Sequence, residues 1–158
     1  MAKMKTVRIT HFLDGDAPFS CLIPTRFADV DWNGHINNVA TAQIIEDART
    51  RFSDWMGVLD PSPRPDAVRY LTASLQVDYV GEAYYPEPYA VHAAVSAIGT
   101  ASWSYILTAR QQGRVVAAAY STQTGTLNGV AQPLPKDMRA RLAEFMIGED
   151  GAPVALRA

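Results

Sequence analysis

From Val39 to Met56 the apolar and polar positions recur in steps of three and four. Thr41, Ile44, Ile45, Ala48, Phe52, Trp55 and Met56 fall on one side, and Gln43, Glu46, Asp47, Arg49 and Asp54 on the other. That period predicts an α-helix of about five turns, at about 3.6 residues each, with one buried face. Asp47 and Arg51 stand four apart in the favourable order, and Gly57 supplies a C-terminal stop. The prolines of "LDPSPRPD" then prevent the helix from continuing.

The rest of the chain reads mainly as strands. Phe19 to Phe27 is extended, and Pro24, which lacks an N–H, argues for an edge position or a bulge. In "AVRYLTASLQVDYV", Leu71, Ala73, Leu75, Val77 and Tyr79 alternate with Tyr70, Thr72, Ser74, Gln76 and Asp78, a period of two. "YAVHAAVSAI", "SWSYILTAR" and "RVVAAAYSTQT" follow, divided by the glycine turns "GTA" and "QQGR". Short turns imply antiparallel neighbours, so these four segments are expected to form a meander. A second helix is predicted in "PLPKDMRARLAEFM", with Pro135 in its first turn and Met138, Leu142, Phe145 and Met146 as its apolar face. The tail "GEDGAPVALRA" is expected to be loose. One strand, one long helix and a strongly curved antiparallel sheet make an α+β domain whose sheet buries a face on the central helix. Ala93, Ala94, Ala117, Ala118 and Ala119 then read as allowing close helix-to-sheet packing.

Composition narrows the function more than the fold. A chain of 158 residues fits one domain, 1–158, with a core over about 19–146. The formal charge of −2, with acids and bases scattered, gives no footprint for nucleic acid or an anionic membrane. No apolar run approaches membrane-spanning length, and "MAKMKTVRITHFLDG" lacks the apolar stretch of a signal peptide, so a cytoplasmic protein is expected. Cys21 cannot form an internal disulfide, and its alternation in "FSCLIPTRF" reads as a packed strand thiol. His11, His35 and His92 have no metal-ligand spacing, so neither a metal nor a cofactor is expected.

The helix begins behind an unusual density of polar side chains, in "TRFADVDWNGHINNVATAQ". Capping explains some of them: Asn37 or Asn38 as N-cap, Asp29 and Asp31 near the positive helix end, Gly34 for a turn. His35 beside that glycine exceeds what a cap requires. The same physics supports chemistry. A helix N-terminus presents unpaired N–H groups that can hold an oxyanion, and a carboxylate just before it could attack a carbonyl or direct a water at it. That arrangement suits acyl transfer.

The run Asp29-Val30-Asp31-Trp32-Asn33-Gly34-His35-Ile36-Asn37-Asn38, continuing into "IIEDAR", resembles the D-x-D-x-x-G-H-x-N-N…E-x-A-R signature of hotdog-fold acyl thioesterases. The similarity is to the 4-hydroxybenzoyl-CoA thioesterase-like branch, and "DVDWNGHINNV" also looks like the motif of acyl-carrier-protein thioesterases. The resemblance spans roughly Phe19 to Met146 and implies a hotdog fold, a curved antiparallel sheet wrapped around a long central helix. It implies Asp31 as the catalytic carboxylate, nucleophile or general base, and the Asn38 N–H as the donor that polarises the thioester carbonyl. By the same match His35 and Asn33 line or orient the site and Asn37 braces the loop; Gly34, within the motif, and Thr41, just beyond it, are expected to complete the substrate-binding set. The implied partners are an acyl-CoA or acyl-carrier protein substrate and a second copy of the chain, in a homodimer joined sheet edge to sheet edge or a tetramer of two such dimers. Glu46 and Arg49 also belong to the signature and read as a structural ion pair.

Two departures bear on the substrate. Thr41, Ile44 and Ile45 stand where related sequences often carry aromatics, and Pro86-Glu87-Pro88 replaces a Gly-Asp turn, so the acyl pocket is expected to be reshaped. Two rivals keep the fold: a domain that binds the acyl ligand without turnover, and a hydratase, whose D-x-N-P-x-H-type context lacks its proline in "DWNGHINN". Elsewhere, Trp103 and Tyr105 read as packing one strand face, His92 as a satisfied strand histidine, and Arg110, Arg114 and Lys136 as surface charge.

Overall fold

A computed structural model describes residue 9 and residues 11–59 and 66–148. Most of "LDPSPRPD" and, beyond Gly148, the tail expected to be loose lie outside the described residues.

The helical period is realised as α1, Asn38–Trp55, with Asn37 as its N-cap. Ala40, Thr41, Ile44, Ile45, Ala48 and Phe52 are buried along one stripe, and Gly57, at φ +71°, takes the left-handed conformation that stops the helix. On the solvent side Arg51 makes two hydrogen bonds to Asp47. Glu46 and Arg49 are paired as expected but not out in solvent: Arg49 also reaches Gln123 Oε1 at 3.4 Å, and Ser121 Oγ donates to Glu46 Oε1 at 3.4 Å. Their stems lie along the flank of the helix that turns toward the sheet, so the pair closes a polar network beneath it rather than facing water.

Five strands carry the sheet: β1 Phe19–Ile23, β2 Arg69–Tyr79, β3 Tyr89–Ile98, β4 Ser102–Gln111 and β5 Arg114–Leu127, with a two-residue β6, Val130–Ala131, on β5. Their order is β1-β3-β4-β5-β2, all antiparallel. The expected four-strand meander is therefore corrected. Only β3, β4 and β5 form one, because only they are joined by tight turns. The β2–β3 connection is a loop of nine residues, Val80 to Pro88, long enough to carry the chain across the sheet, and β2 pairs with β5 at the far edge. As Pro24 suggested, β1 is the opposite edge, and it ends before the proline.

Three bulges bend the sheet, at Thr72/Ser74, Val95/Ala97 and Ala109/Arg110. The first also overturns part of the alternation read from sequence. With one extra residue in β2, Leu71 lies opposite Thr124 on the outer face, whereas Leu75 and Val77 lie opposite Ser121 and Ala119 on the helix-facing side. The alanines divide in the same way. Ala93, Ala117 and Ala119 pack toward α1, but Ala94 and Ala118 join Ile9, Leu13, Ile106 and Ile147 in a second cluster on the outer face. Strand side chains alternate, so a run of alanines serves both faces. The second cluster is closed by the N-terminal segment, whose Ile9 N–H donates to Asp78 Oδ2 at 2.6 Å and Leu13 N–H to Thr108 Oγ1 at 2.8 Å.

Helix α2, Lys136–Ala143, has Pro135 as N-cap rather than in its first turn, and buries Met138 and Leu142. Phe145 and Met146, expected on its apolar face, lie beyond its end, where the chain runs beside β3 at its bulge in a parallel bridge, Val95 bonding Phe145 and Ile147. Trp103 and Tyr105 share the helix-facing side, and Cys21 packs against the same core with its thiol pKa pushed up chiefly by burial. His92 differs from expectation. It stands opposite Thr108 on the outer face, its Nδ1 has no hydrogen-bond partner among the described residues, and burial, then the Arg110 charge, lowers its pKa.

Candidate functional site

The polar run before α1 folds as a miniature hairpin. Val30 and Ile36 form an isolated antiparallel bridge, Asp31 N–H donates to His35 O at 2.8 Å, and Gly34 N–H donates to Asp31 O at 3.0 Å. Gly34 stands at φ +82°, where a side chain would be strained. Within this turn Asp31 Oδ1 accepts the N–H groups of Asn33 at 2.8 Å and His35 at 3.4 Å. The carboxylate is therefore fixed through one oxygen by its own loop.

A second set of bonds ties the hairpin down. Asp29 is buried and receives three bonds from Arg26, from its N–H, Nε and Nη2. The bonds from the guanidinium hold the Asp29 carboxyl below the usual carboxylate range. Asp29 thus braces the 3-10 turn Phe27–Asp29 rather than the helix end. Its carbonyl accepts the Asn37 N–H at 2.9 Å, and Ile36 N–H donates to Ala83 O at 2.7 Å.

Capping leaves a specific remainder. Of the unpaired N–H groups every helix starts with, Ala40's is taken by Asn37 Oδ1 at 2.7 Å. Those of Asn38 and Val39, the first two helical positions, have no acceptor among the described residues. Two donors and the positive helix end therefore face the space beside the Asp31 turn.

That space is a cavity of about 530 Å³ lined by Asp31, Asn33, His35, Asn37, Asn38 and Thr41. Six of the seven residues singled out from sequence thus meet in one place, and Gly34, which shapes the turn, is not part of the lining. The other wall was not foreseen. It comes from the end of β2 and the β2–β3 loop, with Tyr79, Gly81, Glu82 and Ala83, and from Tyr89 and Val116. Tyr79 Oη donates to the Asn38 carbonyl at 2.9 Å, which docks β2 onto the start of the helix.

His35 is turned toward this wall. Its Nε2 lies 3.5 Å from Glu82 Oε2, and its ring meets Tyr84 edge-on at 5.2 Å. Tyr84 Oη donates to the same Glu82 oxygen at 2.6 Å. Gln111 holds the loop itself, accepting from Tyr84 N–H and donating to the carbonyls of Tyr84 and Glu87. The available sequence signal was "GEAYYPEP", acidic and aromatic residues in a loop too long to be a mere turn.

A family pattern described as the thioesterase-like superfamily matches residues 25–142 of this chain. No curated protein matches it. Among solved structures, a predicted thioesterase from Bacillus stearothermophilus is 27% identical, with a TM-score of 0.72 over 81% of this chain and 96% of that one. A thioesterase from Thermus thermophilus, crystallised with coenzyme A and zinc, is 22% identical, with a TM-score of 0.73 over 89% of this chain and 100% of that one. A protein from Pseudomonas aeruginosa strain PAO1 is 24% identical, with a TM-score of 0.73 over 83% of this chain and 93% of that one. The fold is the hotdog fold that these structures share.

Proposed function

Since the chain belongs to the thioesterase-like superfamily, we propose that it hydrolyses an acyl thioester at the cavity between the Asp31 turn and the start of α1. The observation that carries the reading is the pairing of a loop-fixed carboxylate with two acceptor-free helical N–H groups on one cavity wall. The thioester oxygen takes the place of the missing acceptor at Asn38, where developing negative charge is stabilised without reorganising the backbone. Asp31 then works on the carbonyl carbon. As general base it takes a proton from water while the water oxygen bonds to that carbon, and the proton passes to the departing thiolate as the C–S bond breaks. As nucleophile it forms a mixed anhydride with loss of the thiol, and water cleaves the anhydride to the free acid. His35, Asn33 and Asn37 act as positioning groups, and the thiol portion is coenzyme A or a carrier-protein arm. The coenzyme A bound to the Thermus thermophilus protein makes acyl-CoA the first substrate to test.

Free-thiol release from a panel of short, long and aromatic acyl-CoAs checks this. Turnover of at least one member is expected; binding of acyl-CoA with no thiol released from any member would overturn hydrolysis in favour of a binding domain.

The reading includes a homodimer joined through β2. Among the described residues β2 has a neighbour on one side only, and it exposes Leu75 and Tyr79, with Val39 of α1 and Val80 also exposed. An apolar edge strand of eleven residues is a pairing template that soluble proteins ordinarily cover. Light scattering is expected to give twice the chain's 17.2 kDa or a multiple of that dimer, and a monomer mass at assay concentration would remove the edge pairing.

A further inference from the structure

The cavity lining sorts by depth. Asn33, Asn38, Val39, Tyr79 and Glu82 are exposed and form the rim. Ile36, Thr41, Ala83, Tyr89 and Val116 are buried, none above 4% exposure, and form the floor. Three of the five floor residues are apolar. The other two put their hydroxyls together, Thr41 Oγ1 and Tyr89 Oη standing 2.8 Å apart.

This pair is incompletely satisfied. Two hydroxyls carry two protons, and the bond between them uses one. The usual outlet for a helical hydroxyl is the carbonyl four residues back. Thr50 takes it, donating to Glu46 O at 2.9 Å, and Ser53 takes it, donating to Arg49 O at 3.0 Å. Thr41 does not, and the pair's second proton has no acceptor among the described residues. Burial raises the Tyr89 pKa above the ordinary phenol value, so its hydroxyl keeps its proton as a donor.

We infer that the Thr41–Tyr89 pair is a specificity element that reads an oxygen carried by the acyl group, a hydroxyl, carbonyl or ether beyond the thioester. This rests on the thioesterase reading of the same cavity. Water can serve the spare donor while the cavity is empty. An all-carbon acyl chain expels that water and strands a buried donor, whereas an oxygenated chain replaces the acceptor it removes. The floor thereby selects against the plain chain by leaving its own hydroxyl unpaired, the asymmetry that makes hydrogen-bonding pockets discriminating.

The test compares thiol release from acyl-CoAs of equal length, unsubstituted or carrying one hydroxyl or keto oxygen at successive positions. At one of these positions the wild type is expected to favour the oxygenated member roughly ten- to a hundredfold in kcat/KM. The double variant Thr41→Val, Tyr89→Phe removes both hydroxyls while keeping shape, which leaves no orphaned partner and spares the fold. In it the ratio is expected to fall toward unity. Equal kcat/KM for both members in the wild type, or an unchanged ratio in the double variant, would overturn the inference. If the wild type releases no thiol from any member, the same comparison is read as Kd by calorimetry. A preference for the oxygenated ligand that disappears in the double variant then upholds the floor element while hydrolysis fails, and equal Kd values overturn both.

Discussion

Asp31→Asn is expected to lower kcat by roughly a hundred- to ten-thousandfold, the range a positioned acid–base group contributes, and more if the carboxylate is the nucleophile. The substitution is nearly isosteric. Its amide oxygen can still accept the N–H groups of Asn33 and His35, which hold Asp31 Oδ1, so the turn is expected to survive. The Asn38 and Val39 donors are untouched, because neither bonds the aspartate side chain. Substrate affinity should therefore change little while turnover collapses, the signature of an interaction made only in the transition state. Unaltered circular dichroism and thermal midpoint, together with the loss of thiol release, are the results to look for. Wild-type turnover in the variant would remove Asp31 from the mechanism.

Phe52→Ala is expected to cost about 3–5 kcal/mol of folding stability, the largest effect of any single side chain considered. Phe52 is wholly buried at the point where α1, β1, β4 and the segment after α2 meet. Its ring stacks on Phe19 at 5.1 Å and meets Tyr105 at 5.5 Å and Phe145 at 6.1 Å. Each such contact adds about 0.5–1.5 kcal/mol beyond area burial, and the truncated site cannot collapse around alanine because three elements hold it open. Denaturant unfolding gives the measurement. A loss below about 1 kcal/mol would mean that the cluster repacks and is not the anchor of the helix on the sheet.

Both predictions start from features that are local in the chain. The aromatic at position 52 and its burial follow from helical spacing alone, since a period of about 3.6 puts Ile45, Ala48 and Phe52 on one stripe. The Asp31 turn was legible for a similar reason. A glycine, a histidine and paired asparagines within a few residues of a helix start are local features, and local hydrogen bonds can be reasoned from adjacency. Adjacency left the N-cap open between Asn37 and Asn38, and the structure decides for Asn37, which takes the Ala40 N–H and leaves that of Asn38 without an acceptor among the described residues.

What adjacency cannot supply is the identity of distant neighbours. Glu82, Tyr84 and Tyr89 reach the site only because β2 pairs with β5 at the sheet edge, so that the loop after it returns past the helix start to begin β3. Nothing in the local pattern of β2 distinguishes that pairing from a meander, since period two says which residues share a face and not which strand lies alongside. The bulge after Thr72 is similarly silent in sequence, yet it sends Leu71 and Leu75 to opposite faces. The sequence by itself determined the long helix, the main strands and the half of the candidate site that lies at the helix start, because these are set by bonds between near neighbours. Only the tertiary structure decided the strand order, the second wall and the hydroxyl pair on the floor, because those depend on which surfaces the whole chain buries together.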